Sequence, residues 1–229
     1  MHEPTTTPEA IRHRNVIFQD DFSLGTLRNT PEQHWDKNGK ISRYGTQVDF
    51  IPDPKNPSKK VMRITIVGNP GNNLPGYGRT DFWRTGFPSW VNETGEVPAA
   101  VECKVYVPSD YSGTSIGLLS AHGVVEGSVT GFEISESKKI VLGTRSPGLE
   151  DSRVKLTWNI PTDQWVTLRM EYKSDEIVYL VDGKVVHNEG RAFVLKDAHA
   201  GILRNSPTID DGQIQGKWIL NKDFVVEGQ

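Results

Sequence analysis

Seven consecutive residues, Gly78-Arg79-Thr80-Asp81-Phe82-Trp83-Arg84, carry two guanidiniums, a carboxylate and two aromatic rings. They follow a loop, residues 68–77, loaded with Gly, Pro and Asn. Written as a strand, alternate side chains point to opposite faces, so Arg79, Asp81 and Trp83 share one face and Thr80, Phe82 and Arg84 the other. A face of Arg, Asp and Trp makes a poor hydrophobic core and a good polar binding surface. Its plain alternative is a surface ion pair between Arg79 and Asp81, with Trp83 lying across their stems. Tyr77, Phe82, Trp83, Phe87 and Trp90 cluster in the same window, and such rings stack on the apolar faces of sugars. His122 ends an apolar run and is a candidate general base; its ordinary alternative is a strand-end histidine donating to a carbonyl.

Other chemistries find less support. A glycoside hydrolase needs two carboxylates about 5 to 10 Å apart, and no strand carries them at the right spacing. Only a cross-strand pair of Asp81 with Glu133 stays open. No Cys/His spacing suits zinc, no glycine-rich strand-to-helix loop suits a nucleotide, and no Ser/His/Asp signature occurs. The formal net charge is −3, which gives no overall field for nucleic acid or an anionic membrane. No apolar run is long enough to span a bilayer. Met1–Pro8 has no apolar signal core, and one sequon stands at Asn92-Glu93-Thr94. The lone Cys103 alternates with valines and reads as a small buried hydrophobe.

These groups need a scaffold, and the chain's periodicity supplies one. Residues 1–14 are polar and Pro/Thr-rich, a flexible lead-in, and 15–229 form one domain. Val61–Val67 is β-branched, and Val101, Cys103, Val105 and Val107 alternate with Glu102, Lys104 and Tyr106. Val166, Leu168, Met170 and Tyr172 share a face. Asp182-Gly183 between two apolar runs is a strong hairpin signal. Further strands are expected at 16–22, 47–51, 115–122, 130–135, 139–144, 153–158, 200–204 and 217–226, with a turn over 53–60. No i, i+3, i+4 pattern persists. Short strands between Gly, Pro, Asn and Asp predict an all-β sandwich of two antiparallel sheets, with Trp35, Trp158, Trp165 and Trp218 in its core.

Gly131-Phe132-Glu133-Ile134, the Gln164–Tyr172 strand and the hairpin Val178–Lys184 resemble the back half of concanavalin A-like jelly-roll domains. Arg79-Thr80-Asp81-Phe82-Trp83-Arg84 is similar to the Arg-(Ser/Thr)-Glu-x-x-Arg strand of jelly-roll polysaccharide lyases of the alginate and glucuronan type, with Asp for Glu. Ala198–Asn205 is similar to their late Lys-x-Gly-x-Tyr-Arg strand, with Leu203 where Tyr is expected. Ser120-Ala121-His122 is similar to their Gln-x-His, with Ser for Gln. The resemblance implies β-elimination on a uronic-acid polysaccharide in a concave groove. Arg79 would neutralise the carboxylate, His122 take the proton and Asp81 orient Arg79. Trp83, Arg84, Tyr77, Trp90, Glu133 and Arg204 would bind substrate, and Tyr77, Tyr106 or Tyr179 could stand in for the missing tyrosine. A lectin-like, non-catalytic jelly roll and a glycoside hydrolase are the alternatives. The fold also implies a structural Ca²⁺, with Asp20, Asp21 and Asp223 as hard oxygen ligands. The expected partner is a polysaccharide, the expected state a monomer and the expected location extracellular.

Overall fold

The computed structural model describes residues 15–27, 46–66, 98–111, 116–135, 137–200 and 218–228. The described residues form thirteen strands and no helix. They are β1 (Val16–Asp20), β2 (Thr46–Asp53), β3 (Asn56–Ile66), β4 (Pro98–Tyr106), β5 (Ile116–Gly123), β6 (Val129–Ile134) and β7 (Lys139–Arg145). Then follow β8 (Ser152–Asn159), β9 (Trp165–Tyr172), β10 (Ile177–Val181), β11 (Lys184–Glu189), β12 (Leu195–Ala200) and β13 (Trp218–Gly228). Eight of them make one sheet in the order β11-β10-β9-β4-β13-β3-β2, with β1 also paired to β13; the other five run β12-β5-β6-β7-β8. All the pairs are antiparallel. This is the sandwich that the alternating pattern predicts, a jelly roll.

The core lies between the sheets. The large sheet contributes Val101, Cys103 and Val105 from β4 and Val166, Leu168, Met170 and Tyr172 from β9. Leu119 and Ala121 of β5, Phe132 of β6 and Leu142 of β7 meet them from the small sheet. Period-2 alternation with one apolar face puts these residues inside, where each large side chain contributes about 1.5–3 kcal/mol. A polar tie crosses this apolar layer. Tyr179 Oη on β10 lies 2.6 Å from Thr130 Oγ1 and 2.7 Å from Thr144 Oγ1, on β6 and β7. The two threonine hydroxyls are also 3.2 Å apart. Each is thus satisfied, as burial demands.

Four local expectations change. The turn over 53–60 shrinks to Pro54 and Lys55, and β3 starts at Asn56. Its first part pairs only with β2, because β13 meets β3 at 62–65, so Pro57 lies where no ladder partner is required of it on that side. The late strand begins earlier, at Leu195; of the expected 200–204 only Ala200 is among the described residues. Trp158 is on an edge strand and exposed, not in the core. Trp165 and Trp218 pack with Tyr106, Val61 and Leu220 on the outer face of the large sheet. There Tyr106 stacks on Trp218, Lys222 Nζ sits 4.1 Å over the Trp165 ring, and buried Asp53 accepts from Trp165 Nε1 and Lys222 Nζ. Ring size marked these tryptophans as packed but not which side of the sheet they pack on. The same outer face holds Arg169, whose guanidinium meets Glu102, Glu171 and Glu227 and so links β4, β9 and β13.

Candidate functional site

The outward face of the small sheet is built by register. Ser120 pairs with Gly131, Gly131 with Gly143 and Gly143 with Arg153. In the flanking rows His122 pairs with Val129 and Val129 with Arg145, while Glu133 pairs with Val141 and Val141 with Lys155. Directly paired residues share a face, and Leu119, Phe132 and Leu142 beside them are in the core. The rows named here therefore face away from it. A register slip between Gly117 and Leu119 lets Leu118 and Leu119 both be buried, which breaks the simple alternation expected along β5.

The face carries polar and charged side chains around two central glycines, Gly131 and Gly143. His122 is half-buried at the end of β5. Ser120 is only 4% exposed, and its Oγ makes no hydrogen bond among the described residues. A buried hydroxyl without a partner costs about 1–3 kcal/mol unless something arrives to satisfy it. Arg153 Nη2 donates to Glu133 Oε2 at 2.6 Å, and the Arg153 side chain is 61% exposed. Arg145 and Lys155 are exposed cations nearby. On β12, Asp197 stands opposite His122 in the register and His199 opposite Ser120. A sheet face that combines an imidazole, an unpartnered hydroxyl and guanidinium and ammonium groups suits an anionic, hydroxyl-rich ligand.

Of the site residues expected from sequence, His122 and Glu133 share this face, in rows on either side of the central Ser120–Gly131 row. Arg79, Asp81, Trp83, Arg84, Tyr77, Trp90 and Arg204 lie outside the described residues. The described tyrosines are elsewhere: Tyr179, Tyr172 and Tyr111 belong to the core, and Tyr106 packs on the outer face of the large sheet. Tyr179 and Tyr106 are thus removed from the candidate proton donors by position. Burial also pushes the hydroxyls of Tyr179 and Tyr106 above the ordinary tyrosine range. Arg153 and Ser120 are the residues that sequence reasoning passed over as ligands. The signal for Arg153 was the alternation Arg153, Lys155, Thr157 on a strand edge, which places two cations on one face.

The three calcium candidates do come near each other and line one shallow cavity with Gln19, Phe224 and Val225. One oxygen of each is engaged locally. Asp20 Oδ1 accepts from the Phe22 backbone N–H, Asp21 Oδ1 from Ser23, and Asp223 Oδ2 from Lys104 Nζ at 2.8 Å. Asp223 occupies a left-handed backbone conformation at a bulge of β13, which an aspartate tolerates. Among the described residues no three acidic, histidine or cysteine groups converge on a point where one metal ion could sit. No helix among the described residues is long and apolar enough to cross a membrane.

No protein-family description matches the chain, and no curated protein matches it by sequence. Solved structures do match by shape. A cellulose-induced protein, Cip1, superposes with a TM-score of 0.59 at 12% identity, over 91% of this chain and 95% of that one. An alginate lyase from Pseudomonas aeruginosa gives 0.54 at 13% identity, over 84% and 89%. The binding domain of Paraclostridial Mosquitocidal Protein 1 gives 0.53 at 10% identity, over 94% of this chain but 49% of that one. At these identities the likeness is one of fold, and it agrees with a jelly roll.

Proposed function

We propose that this protein binds a uronate-containing polysaccharide across the outward face of its five-stranded sheet and cleaves it by β-elimination. The observation that carries the reading is the company of His122: a half-buried imidazole on a polar, glycine-floored face, with Ser120 beside it and cations in the same rows. The fold shared with an alginate lyase supports the same reading.

In the proposed reaction His122 takes the proton from C5 of the uronate. The electron pair of that C–H bond becomes the C4=C5 double bond, the C4–O bond breaks, and the departing oxygen gains a proton. Negative charge gathers on the C6 carboxylate as the proton leaves, so a guanidinium there lowers the barrier. Arg79 is assigned that role and Asp81 that of orienting it, with Trp83, Arg84, Tyr77, Trp90, Glu133 and Arg204 holding the sugars.

Incubation with glucuronan, alginate and pectin tests this, because elimination leaves unsaturated uronate ends that absorb in the ultraviolet. Absorbance should rise with one of these polymers, and His122→Ala should lower the rate by about 100-fold or more, the usual worth of a positioned base. A second reading, a glycan binder without chemistry, has one point in its favour: none of the described tyrosines stands on this face. Binding to a uronate chain with no unsaturated product would select it, and no binding at all would sink both.

A further inference from the structure

The row Ser120-Gly131-Gly143-Arg153 contains two glycines that stand there for different reasons. A Cβ on Gly131 would lie 2.5 Å from the Leu119 carbonyl oxygen and 3.0 Å from Ser120 Cβ, so the strand pairing itself requires glycine. Among the described residues a Cβ on Gly143 would meet only Glu133 Oε1, at 3.5 Å, an ordinary contact. Nor does Gly143 have the left-handed backbone that favours glycine. Glycine inside a strand weakens it, and it often marks a bulge, a bend or a close approach by a ligand or another backbone. Among the described residues nothing at position 143 accounts for the missing side chain; Arg153 stands on one side of it and, beyond Gly131, the unpartnered Ser120 hydroxyl on the other.

We infer that Gly143 and Arg153 form a distal subsite for one acidic sugar of the bound chain, with its ring over Gly143 and its carboxylate accepting from the Arg153 guanidinium. This rests on the reading of an acidic polysaccharide given above. Arg153 is already oriented by Glu133, which holds one side of the guanidinium and leaves much of it exposed. Lys155, one pair of positions along β8, adds a second cation to the same edge. From β5 to β8 is three strand spacings, about 14 Å. A sugar held at Arg153 is therefore several units away from one at Ser120 and His122. The subsite selects for chain length and for charge: oligomers that span the row gain from it and dimers at the His122 end do not.

Binding is measured by calorimetry on the full chain carrying His122→Gln, so that turnover does not consume the probe. The probes are hexamers and dimers prepared from glucuronan and from alginate. With Arg153→Ala added, the hexamer should bind about tenfold more weakly, the worth of one charge-assisted hydrogen bond, while the dimer is unaffected. Gly143→Val should weaken the hexamer by a similar factor with a Tm equal to or above that of the parent, because valine suits a strand and meets no backbone there. If Gly143→Val fails to fold, Gly143→Ala and Arg153→Ala carry the test. Hexamer affinity unchanged in all of these variants overturns the subsite and leaves the polysaccharide reading intact. A His122→Gln parent that binds neither hexamer, together with a wild-type chain that binds none, overturns both.

Discussion

At the scale of single residues, the clearest dependence is on the Tyr179 hydroxyl. It serves Thr130 and Thr144 at once from the opposite sheet. Tyr179→Phe removes it and leaves the two threonines only each other. The expected loss is about 1–2 kcal/mol, read as a lower denaturant midpoint with an unchanged slope. Uronate binding should be untouched, since this hydroxyl is on the core side of the small sheet. Residue types alone showed part of this scale. Cys103 and its valines are buried as their alternation requires. The Glu133–Arg153 pair was not legible, because two charges twenty residues apart become neighbours only through the register of β6, β7 and β8. The aromatic candidates at 77–90 were legible as chemistry, but they fall outside the described residues.

At the scale of elements, the strands and the tight hairpin were the most readable features. Asp182-Gly183 forms the two-residue turn between β10 and β11, and both residues have positive φ, 48° and 75°. Such a turn twists with its strands, which is why Asp-Gly signals it. Nothing lies near a Cβ built on Gly183, so a side chain there costs only backbone strain. Gly183→Ala should therefore destabilise by about 1 kcal/mol, and Gly183→Asn by less, since asparagine tolerates this conformation. Thermal melts of the two variants side by side decide it; equal losses would contradict the assignment. The bulge in β5 was not readable, because a one-residue slip in the ladder leaves no mark in composition. The same holds for the side of the sheet on which Trp165 and Trp218 pack, where both faces offer large apolar neighbours.

At the scale of the whole molecule, two sheets of different character explain how a chain of net charge −3 can still carry a cationic edge, that of Arg145, Arg153 and Lys155. The large sheet's outer face is closed on itself by ion pairs, and Asp53 is its best-buried member, at 2% exposure. Burial works against the charge of Asp53, but hydrogen bonds from Lys222, the Lys55 backbone and Trp165, with the Lys222 charge, outweigh it. They hold its carboxyl below the ordinary aspartate range. A depressed value means that the folded state favours the ionised form. The stabilisation is complete above the ordinary aspartate pKa and is lost as pH falls through the lower, folded value. Asp53→Asn should therefore lower Tm at neutral pH, and the gap to wild type should close below about pH 4. A gap that stays constant into acid would refute this account.

The order of strands in the large sheet has a consequence for biosynthesis. β13 sits between β4 on one side and β3 with β1 on the other, yet it is the last of the described strands to be made. Until residues 218–228 leave the ribosome, both flanks of that gap expose bare backbone donors and acceptors. A nascent or prematurely terminated chain is then a template that can recruit another of its kind, and the eleven residues of β13 act as the latch that removes the hazard.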